Sequence, residues 1–154
     1  MAGEDLNFEK LTQVSEIYMD ELSKELGHPE EKKRVFKIWR AVMHTIRDRI
    51  HIGESFDLIS PLPIILKGVY VQGWKFAEHP PLDYMTLEEM KSSVKTLQNQ
   101  YGERQFPWKK PTEVIISDTL NSLERFLPKA QSSHIINQMP KEIKEYLDSK
   151  MSSI

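Results

Sequence analysis

Over the first stretch of the chain, apolar residues return every three or four positions, the period of one helical face. Phe8, Leu11, Val14, Ile17, Tyr18, Leu22 and Leu26 predict a helix from Asn7 to Leu26. Gly27 is placed to end it, since glycine accepts the left-handed backbone, and Pro29 suits the first turn of a second helix, where its missing N–H would have had no partner. The second helix is expected to run to about Ile50. Its buried face is Val35, Ile38, Trp39, Val42, Met43, Ile46 and Ile50, while Lys33, Lys37, Arg40, His44, Arg47 and His51 form another stripe.

Further along, "LISPLPIILKGVYVQGW" (residues 58 to 74) carries Pro61 and Pro63, each of which pushes the residue before it out of the helical region. A third helix from Ser55 to Ser60 and a fourth from Pro63 to between Gly68 and Gly73 are therefore expected, with a bend between them. Residues 74 to 85 contain two consecutive prolines and no period, so they read as a connector in which His79 is a loop residue. Thr86 and Glu89 then have capping-box spacing and Met85 and Met90 the spacing of a hydrophobic staple, which predicts a helix from Leu87 to Tyr101 ended by Gly102. Another helix follows from Pro111 to about Leu127. Gln131 to Gln138 and Pro140 to Leu147 close the pattern, and "DSKMSSI" reads as a fraying tail.

Residues 35 to 70, shifted by 77, fall on 112 to 147 without a gap, so that Pro63 meets Pro140. Eleven of the fourteen apolar residues in the later segment then meet an apolar residue, against a random overlap of roughly 7. The identities are Ile38/Ile115, Ser55/Ser132, Pro63/Pro140 and Lys67/Lys144. The expected fold is thus all-α, a single domain over residues 1 to 154. It is a helical bundle of two related multi-helix halves, about 7 to 73 and 84 to 147, joined by the connector 74 to 85. Features kept by both halves answer to packing. The basic stripe is not one of them: its counterparts are Lys110, Val114, Ser117, Asn121, Glu124 and Pro128.

Charge sharpens this picture. The chain as a whole carries −2, yet its first 31 residues sum to −7 and residues 32 to 51 to +6. The basic stripe therefore has two readings: a helix face lying along nucleic-acid phosphates, or a solvated face that pairs with Glu16, Asp20, Glu21 and Glu25 of an antiparallel first helix. His44 and His51 lie two turns apart, too far to share a metal without a third element, and Asp48 completes no ligand spacing, so neither metal nor cofactor is expected. No phosphate loop, nucleophile elbow or His-Glu-x-x-His helix occurs, and no catalytic residue is assigned. Trp74 and Trp108 sit beside bends, as packing anchors or as contacts for a partner. The chain has no cysteine, which excludes disulfides and thiolate chemistry and fits a cytoplasmic protein. The acidic amino terminus and short apolar runs point to neither export nor a membrane span.

"WRAVMHTIRDRI" followed by "LPIILKGVYVQGW" resembles the bacterial family catalogued as domain of unknown function 2267. The likeness is strong from about Arg34 to Trp74 and weaker in the later half, where "INQMPKEIKEYL" resembles the family's second copy. The resemblance implies an all-helical domain with paired repeats, a bacterial cytosol and a link with stress response, and it implies no catalytic residue. Lys67 stands where many relatives carry arginine; it keeps the charge but loses the planar fork, so no anion clamp is carried to it. The function expected first is a non-enzymatic interaction or regulatory module binding a protein partner or a second copy of itself. The alternatives are nucleic-acid binding through the basic face of helix 30 to 50, and a small anionic ligand or enzymatic site in the cleft between halves held by Arg40, His44 and Arg47.

Overall fold

Asn7 opens helix α1 (Phe8–Glu25) by accepting the Lys10 N–H at 3.2 Å, and Gly27, at φ +84°, lets the chain turn away after it. The computed structural model describes residues 7–75, 80–102 and 105–151. Helix α2 (Lys32–Arg47) begins three residues after Pro29 rather than at it. The reason is His28, whose N–H bonds the Ser23 carbonyl at 2.8 Å and whose own carbonyl accepts the Glu31 N–H at 3.0 Å, so residues 28 to 31 are held as a turn. The buried face expected of α2 is buried in full, from Val35 to Ile50. On α1, by contrast, Phe8, Val14 and Ile17 remain exposed, because the helix turns a narrower face to the core than its apolar period suggests.

His51 caps α3 (Ile52–Ile59), its Nδ1 accepting the Gly53 N–H at 3.0 Å, which starts that helix earlier than Ser55. Pro63 opens α4 (Ile64–Val71). Thr86 and Glu89 form the predicted capping box at α5 (Leu87–Gln100), each accepting the other's N–H at 3.1 Å. The outer member of the expected staple stays largely at the surface. Met85 is 59% exposed, with its sulfur 3.5 Å from Arg49 Nη2, while Met90 is buried. Helix α6 (Thr112–Ser122) tightens into a 3₁₀ turn at Leu123–Arg125 instead of continuing to Leu127, which precedes Pro128 and is disfavoured as helix. α7 (Lys129–Asn137) and α8 (Lys141–Lys150) follow, so Asp148, Ser149 and Lys150 are helical rather than frayed. His79 lies outside the described residues.

The fold is all-α: eight α-helices and no strand among the described residues. α2 is its centre, packed against α1, α4, α5 and α6. Burial of Trp39 is completed by a polar chain: its Nε1 donates to the Tyr18 hydroxyl at 2.9 Å, and that hydroxyl meets Ser122 Oγ at 2.5 Å. Burial pushes the Tyr18 phenol up to about 12, so it remains a hydroxyl able to complete this link between α1, α2 and α6. Among the described residues no helix is long and apolar enough to cross a membrane.

Candidate functional site

The basic stripe divides in two. Its amino-terminal members, Lys33 and Lys37, are exposed and Arg40 is half-buried, whereas His44 and Arg47 are 1% and 5% exposed. The expectation of one solvated cationic face is thereby corrected. The physical reason is position: the second half of α2 runs between α4 and α5, so its polar side is covered as well as its apolar one. A central helix cannot keep a solvent stripe along its whole length.

His44 joins three helices. Its Nε2 lies 2.7 Å from the Val69 carbonyl, which can only accept, so this nitrogen carries the proton. Nδ1 then accepts from the Tyr101 hydroxyl at 2.7 Å. Burial lowers the imidazole to about 4; the Val69 carbonyl opposes that shift, and the charges of Arg47 and Arg40 add to it. The ring is neutral at pH 7. Arg47 completes the fastening: Nη1 donates to the Tyr70 and Gln72 carbonyls, each at 2.7 Å, and Nε and Nη2 reach the two Asp48 oxygens at 2.9 and 3.3 Å. The terminal carbonyls of α4, which have no partner within their own helix, are thus capped by a guanidinium whose charge also suits the negative end of a helix dipole. His51 is spent on its cap. The pairing expected between the stripe and α1 is made instead by Lys32, which lies 3.2 Å from both Glu16 and Asp20, one residue away from the stripe.

A groove between the earlier and later parts of the chain lies elsewhere. A groove of about 330 Å³ separates α1 from α6, and its charged lining is Glu21, Glu25, Asp118 and Arg125, of which Arg125 pairs with Glu21. Arg40, His44 and Arg47 do not line it, and its carboxylates would repel the anion expected there.

Both candidate tryptophans are half-buried anchors. Trp74 meets Tyr70 and Phe56 with ring centroids 5.9 and 6.1 Å away, and Trp108 meets His28 and Phe106 at 5.0 and 4.7 Å. The Trp74 contact has an outer side that hydrophobic periodicity does not mark. Along α4, Leu66 and Tyr70 face the core, while Ile64, Gly68 and Val71, at i, i+4 and i+7, share the opposite face. Ile64 and Val71 are 40% and 43% exposed, and Phe56, against Trp74, is 57% exposed. The sequence signal was the composition of α4: "IILKGVYV" is apolar on all sides, so a helix with only one face toward the core must present aliphatic residues to solvent.

These features define an all-α helical bundle whose interior ionisable groups fasten one helix to another. The chain belongs to the family described as an uncharacterized conserved protein, DUF2267, whose model matches residues 16–146. No curated protein matches it.

Proposed function

We propose that this protein is a non-enzymatic cytoplasmic interaction module that docks through the outer face of α4, and that the docked partner is a second copy of the chain. The observation carrying this reading is Gly68. It stands inside a helix, where glycine costs about 1 kcal/mol relative to alanine, and a Cβ built on it would meet nothing within 4 Å. Among the described residues no neighbour in its own chain accounts for the missing side chain. Close approach of a partner helix does. Ile64 and Val71 flank Gly68 by four and three residues, so an antiparallel second α4 sets the aliphatic pair of one copy around the gap of the other. Phe56 and Trp74 extend the contact at one end. With so short a helix the association is weak, a dissociation constant on the order of micromolar.

The test is sedimentation velocity over a concentration series with the wild type and Gly68→Arg. The open space at residue 68 accepts the arginine without a clash, so helical content should be unchanged while self-association is lost. A wild type that is monomeric throughout, or a Gly68→Arg variant that dimerises equally well, contradicts the proposal.

The two halves are also read here as copies of one four-helix unit, which makes the α4 face a property of one copy. Several features support this reading. Shifted by 77, the spans of α1 to α4 fall on those of α5 to α8 within a few residues at most ends, the chief exception being the later start of α6. Exchanging the units turns the α1–α2 contact into α5–α6, α1–α4 into α5–α8, and α2–α5 into α6–α1, all of which occur. Pro63 and Pro140 have nearly equal backbone angles, φ −57° and ψ 151° against φ −54° and ψ 153°. Ser55 and Ser132 are both buried, but Ser55 bonds the Tyr70 hydroxyl at 2.7 Å whereas Ser132 has no partner for its hydroxyl. The position equivalent to Tyr70 is Leu147, so the serine of the second unit has a buried oxygen and nothing to bond. An experimental structure in which residues 55 to 71 superpose on 132 to 148 no better than arbitrary helix pairs would remove this part of the reading.

A further inference from the structure

The geometry points to a phosphate-binding site at the exposed end of α2, built from Arg40 and Lys37 against the end of α5, with Lys33 one turn further out. Arg40 lies with Cζ 3.8 Å above the centroid of the Tyr101 ring, so one face of its guanidinium is covered by an aromatic surface. Its Nε is out of contact with solvent and has no hydrogen-bond partner. Among the described arginines this is exceptional. Arg34 lies 3.9 Å from Glu31, Arg47 holds Asp48 and two carbonyls, Arg49 holds the Tyr84 carbonyl, and Arg125 holds Glu21. Buried donors are nearly always satisfied, and a guanidinium N–H left without an acceptor beside other cations fits an oxyanion.

The second cation is placed by Gly102. A Cβ built there would lie 3.7 Å from Lys37 Nζ, so the ammonium sits at the residue after Tyr101, and both cations converge on the same short segment. Gly102 has φ +94°, which favours glycine in any case. Tyr101 has its hydroxyl committed to His44, so the ring is held edge-on to the imidazole while its face supports Arg40. The neutral His44 beneath adds no charge of its own. Lys33 is exposed, and with Lys37 and Arg40 at i+4 and i+7 the three cations span about 10 Å of helix. That reach matches one or two phosphate groups rather than a long strand, which favours a small phosphate-bearing molecule over a nucleic-acid backbone.

The experiment follows the Arg40 Nε–H signal in ¹H–¹⁵N spectra while inorganic phosphate, pyrophosphate or a single-stranded oligonucleotide is added, each against sodium chloride at equal ionic strength. Phosphate or pyrophosphate should shift that signal saturably. Lys37→Gln and Arg40→Gln should each weaken binding at least about tenfold, because each removes a charge-assisted bond, whereas Lys10→Gln on α1 should leave it unchanged. Tighter binding of pyrophosphate than of the oligonucleotide assigns the site to small phosphates. Tighter binding of the oligonucleotide, weakening with salt as for about three phosphates, keeps the same site and assigns it to a strand. Shifts no larger than those from chloride, or losses equal to that of Lys10→Gln, overturn the inference.

Discussion

His44 makes the stability of this protein depend on pH in a calculable way. The unfolded chain protonates this histidine near the ordinary value of 6.5, while the folded protein holds it near 4 because the ring is buried between α4 and α5. Between those values the unfolded state binds more protons, so stability rises with pH through the window and is lost as pH falls from 6.5 toward 4. The full gap corresponds to about 3 kcal/mol, and by pH 5 about 2 kcal/mol of it is gone. The charged groups facing the ring are Arg40, Arg47 and Asp48, and the Tyr101 phenol, raised by burial, stays protonated across this range. Urea unfolding followed by far-ultraviolet circular dichroism at pH 7.5 and pH 5 measures the difference, with His44→Gln as the reference because glutamine cannot titrate. The wild type should lose about 2 kcal/mol more than the variant over this interval. Parallel losses would show that the ring is accessible to protons in the folded state and that its bonds to Val69 and Tyr101 do not hold it neutral.

Two further outcomes follow from the packing. Ser55→Ala should destabilise the protein by about 1 kcal/mol, since it leaves the buried Tyr70 hydroxyl without its partner. Ser132→Ala should be neutral or stabilising, since it removes a buried hydroxyl that has none; chemical denaturation of both variants checks the opposite signs. At concentrations where the protein is monomeric, Gly68→Ala should raise stability by up to about 1 kcal/mol through helix propensity alone, and a loss of melting temperature under those conditions would mean that space at residue 68 is occupied within the chain.

Where periodicity and local chemistry act together, the sequence is legible. The buried face of α2, the capping box at Thr86 and Glu89, and the left-handed glycines after α1 and α5 follow from rules that operate within a few residues. What pattern alone misses is set by neighbours far along the chain. Met85 has the right spacing for a staple but lies 3.5 Å from Arg49 Nη2, and a 3₁₀ turn ends the α6 helix early. The stripe on α2 fails as a single surface for the same reason. Nothing in its spacing reveals that α4 and α5 cover His44 and Arg47 but leave Lys33 and Lys37 exposed. One trace of the division is visible in residue type: the exposed half uses lysine, a flexible point charge, and the buried half uses histidine and arginine, which offer fixed donor geometry. The outer face of α4 is not legible because an apolar run does not itself say which of its residues reach the surface.

The division of the α2 stripe into an inner fastening and an outer surface is tested most directly by unfolding Arg40→Ala and Arg47→Ala side by side in urea. Arg47→Ala strands the Tyr70 and Gln72 carbonyls at the end of α4 and the Asp48 carboxylate and should cost about 3 kcal/mol or more. Arg40→Ala removes only a stacked, half-exposed side chain and should cost about 1 kcal/mol or less. Equal costs, or a larger loss at Arg40, would contradict the account.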